Sequence, residues 1–184
     1  MKIFRILFLG ILLFSTNIAT SSAQDVSGFV AVVDIQHILQ ESTAATDIRE
    51  QIKKKRDEYQ ENIKKQEEKL RKEEKKLMDQ RSILSQEAFG QKRDEFKEKL
   101  MKVQRDVQEK RSQLDVALNK SLSEVQRAVY KIIDDLAQEK GFKIALPTSQ
   151  VLFANESLSI TNEVLSRINK DLPKVQIEIG KGDR

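Results

Sequence analysis

The chain has 184 residues, about the length of one domain, and carries 33 Lys and Arg against 29 Asp and Glu, a net charge of +4. It contains no Cys and one His, which excludes zinc sites built on Cys and His, disulfides and thiol redox chemistry. Charged residues make up 34% and aromatic residues 5% of the chain, a composition typical of long helices rather than of a compact enzyme.

Residues 1–23 have the features of a secretory signal peptide. Lys2 and Arg5 precede an apolar run, Ile6–Phe14, which is too short to span a bilayer. Ser21 and Ala23 fit the small-x-small cleavage pattern, so we expect cleavage after Ala23 and export of the mature chain. An uncleaved membrane anchor is the alternative interpretation of this segment.

The mature chain opens with one short strand and continues into a very long helical region. Gly28–Asp34 is apolar at nearly every position, which predicts a buried β-strand, and Asp34 can cap the helix that follows. Ile35–Lys140 contains no Pro and one Gly, and its apolar residues follow a heptad spacing between Phe89 and Leu136. The pattern predicts a coiled coil or a helical hairpin.

The heptad pattern weakens at one place, Arg81–Gly90, where two serines and a glycine interrupt it. Ser85 can cap a new helix there, with Glu87 favourably placed in its first turn. We therefore expect a reversal near Ser82–Ser85 and two antiparallel helices. A single straight rod is the alternative.

Several shorter elements are predicted after the long helices. Gly141 is a suitable helix stop and Pro173 ends the last helix. In chain order the elements are a strand Phe142–Leu146, a second strand Val151–Ala154, a helix Asn162–Leu172 capped by Thr161, and Lys174–Ile179 as either an edge strand or a frayed tail.

Three short strands are too few to form a stable sheet in one chain, so we expect several chains to pool them. The predicted fold class is α+β: a long antiparallel coiled-coil hairpin arm (residues 49–112) on a small β-rich oligomerisation body (residues 24–48 and 113–184). The residues expected at the subunit interface are the apolar ones of the strands and of the first helix, namely Phe29, Val30, Val32, Ile35, Ile38, Phe142, Ile144, Leu146, Val151 and Phe153.

The predicted arm is basic. Residues 49–112 contain 21 basic and 15 acidic side chains, a net +6, whereas the rest of the mature chain carries a net −4. This charge predicts a surface for anionic partners, although a solvated helix face is the alternative. The candidate binding residues are the basic cluster near the expected tip and the isolated apolar residues of the arm, namely Lys75, Lys76, Arg81, Lys92, Arg93, Tyr59, Met78, Phe89 and Phe96.

The sequence offers no pattern typical of a catalytic or nucleotide site. It has neither a Walker motif nor a GxGxxG motif, and Asp134 and Asp135 occupy adjacent helical positions that point in different directions. We expect no enzyme activity, cofactor or metal. Mixed charge signs and the lack of interleaved aromatic residues disfavour nucleic-acid binding.

The order of these features resembles the OmpH-like periplasmic chaperones. The blocks that carry the resemblance are Phe29–Gln36, Leu39–Ser42, Glu139–Leu146 and Val151–Leu165. The resemblance implies a periplasmic homotrimer whose arms hold unfolded outer-membrane β-barrel proteins after export, without ATP. Lipopolysaccharide or an anionic membrane surface is a further possible partner. A structural tether and a polyanion-binding protein are the alternative functions.

Overall fold

The computed structural model describes residues 28–180, so the predicted signal peptide and its cleavage point lie outside the described residues. This part of the chain is mostly helical and contains two short strands. Its elements are β1 (Val30–Val33), α1 (Ile35–Glu41), α2 (Thr43–Asp79), α3 (Gln86–Lys140), β2 (Ile144–Pro147) and α4 (Thr161–Asp171), with 3₁₀ turns at Thr148–Gln150 and Glu156–Leu158.

The predicted N-cap of the first helix is confirmed, but the helix ends earlier than the sequence suggested. The Asp34 carboxylate accepts a hydrogen bond of 2.9 Å from the His37 backbone N–H. At Ser42 the backbone becomes extended (φ −63°, ψ 142°), and its hydroxyl caps α2 by accepting from the Ala45 N–H at 3.4 Å. Ser42 is fully buried, so this break is part of the packed body.

The predicted interruption between the two long helices is also present. α2 ends at Asp79 and α3 begins at Gln86, and the Ser85 hydroxyl accepts from the Ala88 N–H at 3.2 Å, as predicted for a cap. A single continuous helix is excluded, because side chains on the two sides of the turn contact each other at several points along the two helices. The pairs are Gln80 with Lys92, Glu73 with Lys99, and Tyr59 with Lys110.

Gly141 ends α3 in the left-handed conformation (φ 80°), as expected of a helix stop. The chain then enters β2, which pairs in parallel with β1 in the register Val30↔Ile144 to Val33↔Pro147. β2 thus starts two residues later than predicted. The predicted strand Val151–Ala154 is wrong: the structure forms no ladder there, and a strand without a neighbour leaves its backbone groups unpaired.

The start of α4 differs in detail from the prediction. Thr161 is the first residue of the helix rather than its cap, and its hydroxyl accepts from the Asp34 N–H at 2.9 Å. The preceding Ile160 N–H donates to the Val32 carbonyl at 2.9 Å. These two bonds connect the beginning of the described chain to its last helix.

The hydrophobic core corrects the expectation of a β-rich body. Helical residues form most of it, since the only strands among residues 28–180 are two of four residues each. Toward the arm the core reaches Ile52 on α2 and Leu114 on α3. The core residues from helices are Ile38, Ala44, Ile48, Ile52, Leu114, Ala117, Val125, Val129, Ile132, Leu136, Val164 and Ile168.

The segment after α4 is neither an edge strand nor a frayed tail. Val175 is buried, and Ile177 and Ile179 pack against the core. We call residues 173–180 the strap.

Candidate functional site

The first candidate surface surrounds the strand pair. Phe29, Ile144 and Leu146 expose 43, 53 and 37% of their area, although they are large and apolar. The Phe29 carbonyl accepts from the Ile144 N–H at 3.1 Å, so the first two are neighbours. Leu152 and Phe153 follow the 3₁₀ turn and are more exposed still, at 108 and 87%. We call these five exposed residues the apolar surface and treat them as a candidate interaction site.

The structure separates the ten predicted interface residues into three groups. Val32, Ile38 and Phe142 are buried within the single chain. Ile38 and Phe142 belong to the mainly helical core cluster, whereas Val32 is paired with Leu146 of β2 and bridged to Ser159. Phe29, Ile144, Leu146 and Phe153 are exposed, while Val30, Ile35 and Val151 are half-buried.

The second candidate surface is the arm near its turn. Lys75, Lys76, Arg81, Lys92 and Arg93 are all exposed, as a charged capture surface requires. The Lys92 ammonium donates to the Gln80 side-chain oxygen at 3.0 Å, which brings the basic residues of α3 close to those of α2.

The predicted apolar residues of the arm differ in exposure. Met78 exposes 57% of its area, whereas Tyr59, Phe89 and Phe96 are half-buried between the helices. Sequence reasoning missed Ile83, which is 81% exposed in the turn. Ile83 lies inside the predicted interruption and has no heptad partner, and this position in the sequence could have indicated that its side chain is exposed.

A shallow cleft of about 210 Å³ lies between the helices near the turn. Phe96 and Leu77 supply its apolar part, and Glu73 and Lys99 form an ion pair of 2.7 Å at its edge. The hydrogen bond to Glu73 raises the pKa of Lys99 above its usual value, so this ammonium stays charged.

A larger cleft of about 340 Å³ lies where the arm leaves the core. The Lys110 ammonium sits 4.7 Å from the centre of the Tyr59 ring, a cation–π contact. The cleft combines three cations with an apolar floor and one carboxylate. Its lining residues are Arg56, Tyr59, Gln60, Ile63, Val107, Lys110, Arg111, Leu114 and Asp115.

An ionic cluster joins α4 to the end of α3. The Arg167 guanidinium lies 2.5 Å from Glu139 and 3.0 Å from Glu163, and Lys140 lies 2.8 Å from Glu163. The hydrogen bond from Arg167 lowers the pKa of Glu139, and the hydrogen bond from Lys140 lowers that of Glu163. This cluster orients α4 on the body.

Two kinds of feature are absent from residues 28–180. No helix in that range combines the length and apolar character that a membrane-spanning segment needs. No group of three or more His, Asp or Glu side chains in it is arranged to hold a metal ion.

Comparison with known proteins places the chain in a family. Residues 30–168 match the family model described as OmpH: Outer membrane protein (OmpH-like). Because this match spans more than half of the chain, the chain belongs to the OmpH-like family, which confirms the resemblance found in the sequence.

A solved structure has the same fold. It is described as an OmpH-like outer membrane chaperone from Caulobacter crescentus, and it superposes with a TM-score of 0.78 over 84% of this chain and 91% of its own. At 18% identity, this likeness establishes the fold alone. No curated protein matches the chain.

Proposed function

We propose that this protein is an ATP-independent periplasmic holdase that binds unfolded outer-membrane β-barrel proteins after export and prevents their aggregation. One observation carries the proposal. The apolar core ends near Ile52 and Leu114, and beyond it the long helices α2 and α3 continue with a charged surface and a few isolated apolar side chains, which supports the proposed hairpin arm. Such a surface makes many weak contacts and encloses no single tight site. Membership of the OmpH-like family supports the same function.

The proposed division of the mature chain is a body of residues 24–48 and 113–184 and an arm of residues 49–112. The core supports boundaries close to these, because Ile52 and Leu114 are its outermost members on the two long helices. Beyond them, α2 has one further buried residue, Leu77.

We propose that three copies assemble through the apolar surface. Its five side chains remain exposed in the single chain, and burying them removes large apolar groups from water. Phe153→Asp should convert the assembly into monomers, as measured by analytical ultracentrifugation. Ile83→Asp is the matched control, because it places the same charge on an equally exposed apolar residue far along the arm.

Client capture is proposed to depend on the positive charge of the arm. Long-range attraction speeds the encounter with acidic chains and weakens as the Debye length falls from ~10 Å at 0.1 M salt to ~3 Å at 1 M. The test is suppression of the aggregation of an unfolded β-barrel protein, followed by light scattering at several salt concentrations. A wild-type chain that leaves aggregation unchanged would refute the holdase function and favour a structural tether.

Charge-reversal variants of the arm test whether its positive charge acts on the capture of a client rather than on its retention. Lys75→Glu with Lys76→Glu should slow client association several-fold at low salt and have little effect at 1 M, because the steering field is screened there. Lys131→Glu with Lys143→Glu is the matched control, since both are exposed lysines of the body and the change in net charge is equal. Equal slowing by both pairs would show that only the total charge matters.

The cleft at the base of the arm supports a second candidate ligand, lipopolysaccharide or another anionic membrane amphiphile. Arg56, Lys110 and Arg111 suit phosphate groups, and the apolar floor suits an acyl chain. Binding of lipid A but not of a zwitterionic detergent, with loss in Lys110→Glu, is the expected result. Binding of both amphiphiles would show that the cleft selects only for apolar chains.

A further inference from the structure

The strap lies on the base of the two long helices with alternate residues buried. Val175 is 4% exposed, Ile177 and Ile179 are half-buried, and the intervening Gln176 and Glu178 are exposed. Burial that alternates with a period of two residues is typical of an extended chain with one face packed against a surface. Val175 belongs to the core cluster that includes Ile48, Ile52, Leu114 and Ala117, and Ile177 and Ile179 pack against that cluster.

A single glutamine side chain bonds to two backbone groups of the strap. The Gln51 amide nitrogen donates to the Val175 carbonyl at 2.8 Å, and the Gln51 amide oxygen accepts from the Ile177 N–H at 3.2 Å. In a parallel sheet, one residue of the neighbouring strand bonds to these same two groups, the carbonyl before and the N–H after the residue it faces. Gln51 therefore replaces one residue of a partner strand, opposite Gln176.

Two further contacts hold the strap in place. The Asp47 carboxylate accepts from the Gln51 amide at 2.7 Å, which fixes the orientation of that amide. On the other helix, Lys120 forms an ion pair with Glu178. This pair is exposed and contributes little, so the backbone bonds and the alternating apolar contacts provide most of the binding.

These contacts have low sequence specificity. They require an extended backbone and an apolar side chain at every second position, and they leave the intervening side chains free. Membrane β-barrel strands have the same alternation of apolar and polar residues. An unfolded β-barrel protein consists largely of segments that meet these requirements.

We propose that the strap occupies a binding groove for extended polypeptide segments with alternating apolar residues, and that a client segment binds there by displacing the strap. The groove lies between α2 and α3 around Gln51 and Lys120, and the strap is its intramolecular competitor. This inference rests on the proposed holdase function and adds a second, regulated contact site in the body.

The experiment uses the full-length chain with serine substitutions on either face of the strap. Val175→Ser with Ile177→Ser removes buried contacts and should release the strap. Lys174→Ser with Gln176→Ser is the matched control on the exposed face. The probe is a fluorescent peptide with the sequence of residues 173–180, and binding is measured by anisotropy.

We expect the peptide to bind the released variant roughly tenfold or more tightly than it binds the control, because losing the apolar contacts of buried Val175 and half-buried Ile177 together shifts the opening equilibrium by at least about that factor. Adding Gln51→Ala to the released variant should weaken binding again. A peptide of the same composition with its apolar residues adjacent should bind poorly. Equal binding to the released and control variants, or equal binding of both peptides, would overturn the proposal.

A second measurement avoids any change to the fold. In the wild-type chain, a saturating unfolded β-barrel protein should speed amide exchange at residues 175–179, and unchanged exchange there would also overturn the proposal. Peptide binding does not depend on the aggregation assay. A released variant that binds the peptide while wild type fails to suppress aggregation would therefore refute the holdase function and leave the groove established.

Discussion

Two glycines in α3 and at its end offer a test in which one substitution has opposite effects. Gly141 adopts φ 80°, where a residue with a Cβ atom costs about 1–2 kcal/mol. Gly90 lies within the helix, where alanine is favoured over glycine by about 0.8–1 kcal/mol. A Cβ atom at either position meets nothing within 4 Å, so the backbone conformation alone decides whether alanine raises or lowers the free energy of unfolding.

We therefore expect Gly141→Ala to destabilise the fold by about 1–2 kcal/mol and Gly90→Ala to stabilise the helix by up to about 1 kcal/mol. The measurement is urea unfolding followed by far-ultraviolet circular dichroism, at one protein concentration because association affects apparent stability. Amide exchange near residue 90 shows whether the arm opens separately from the body. Stabilisation by both substitutions would refute the left-handed helix end at Gly141.

Three further predictions concern the body and the arm. Thr161→Val should lower the free energy of unfolding by about 1–2 kcal/mol, because it removes the hydroxyl that accepts a hydrogen bond from the Asp34 N–H. Urea unfolding measures the change, and the same substitution at an exposed threonine is the control. The hydrogen bond from Lys140 lowers the pKa of Glu163 in the folded chain. The stabilisation from this bond is therefore complete above the ordinary pKa of 4.5 and is lost as the pH falls from 4.5 through the lowered pKa. Measurements of the free energy of unfolding between about pH 3 and pH 6 should show this decline. Amide exchange should be fastest over Met78–Arg93 and slowest over Ile132–Leu136, since the core lies in the body; uniform protection would contradict this.

Local capping chemistry could be predicted from the sequence. Asp34, Ser85 and Gly141 act where they were expected, because a cap needs only its own side chain, or the absence of one, and the backbone of the next few residues. Ser42 shows the limit of this reasoning. A serine inside a helical pattern is ordinary, and only its burial among the body helices makes it the end of α1.

Tertiary partners could not be predicted in the same way. Apolar residues at Val33 and Ile144 look alike in the sequence, yet Val33 is buried in the mainly helical core and Ile144 is exposed. The alternation in Lys174–Ile179 indicates an edge strand or a frayed tail, but the structure packs this segment against the core, and the group that bonds to its backbone is the side chain of Gln51, 124 residues away from Val175. No pattern near either residue indicates that contact.

In the proposed holdase, release without ATP follows from how these surfaces are built. The arm offers exposed charges and isolated apolar side chains, so in the proposed trimer each contact with a client breaks easily and retention requires several arms at once. In the proposed groove the strap adds a competitor that is always present at a high effective concentration, because it belongs to the same chain. A client segment then remains bound only while its alternating pattern is unpaired. When the client pairs its own strands, the segment leaves and the strap returns, so folding of the client itself drives its release.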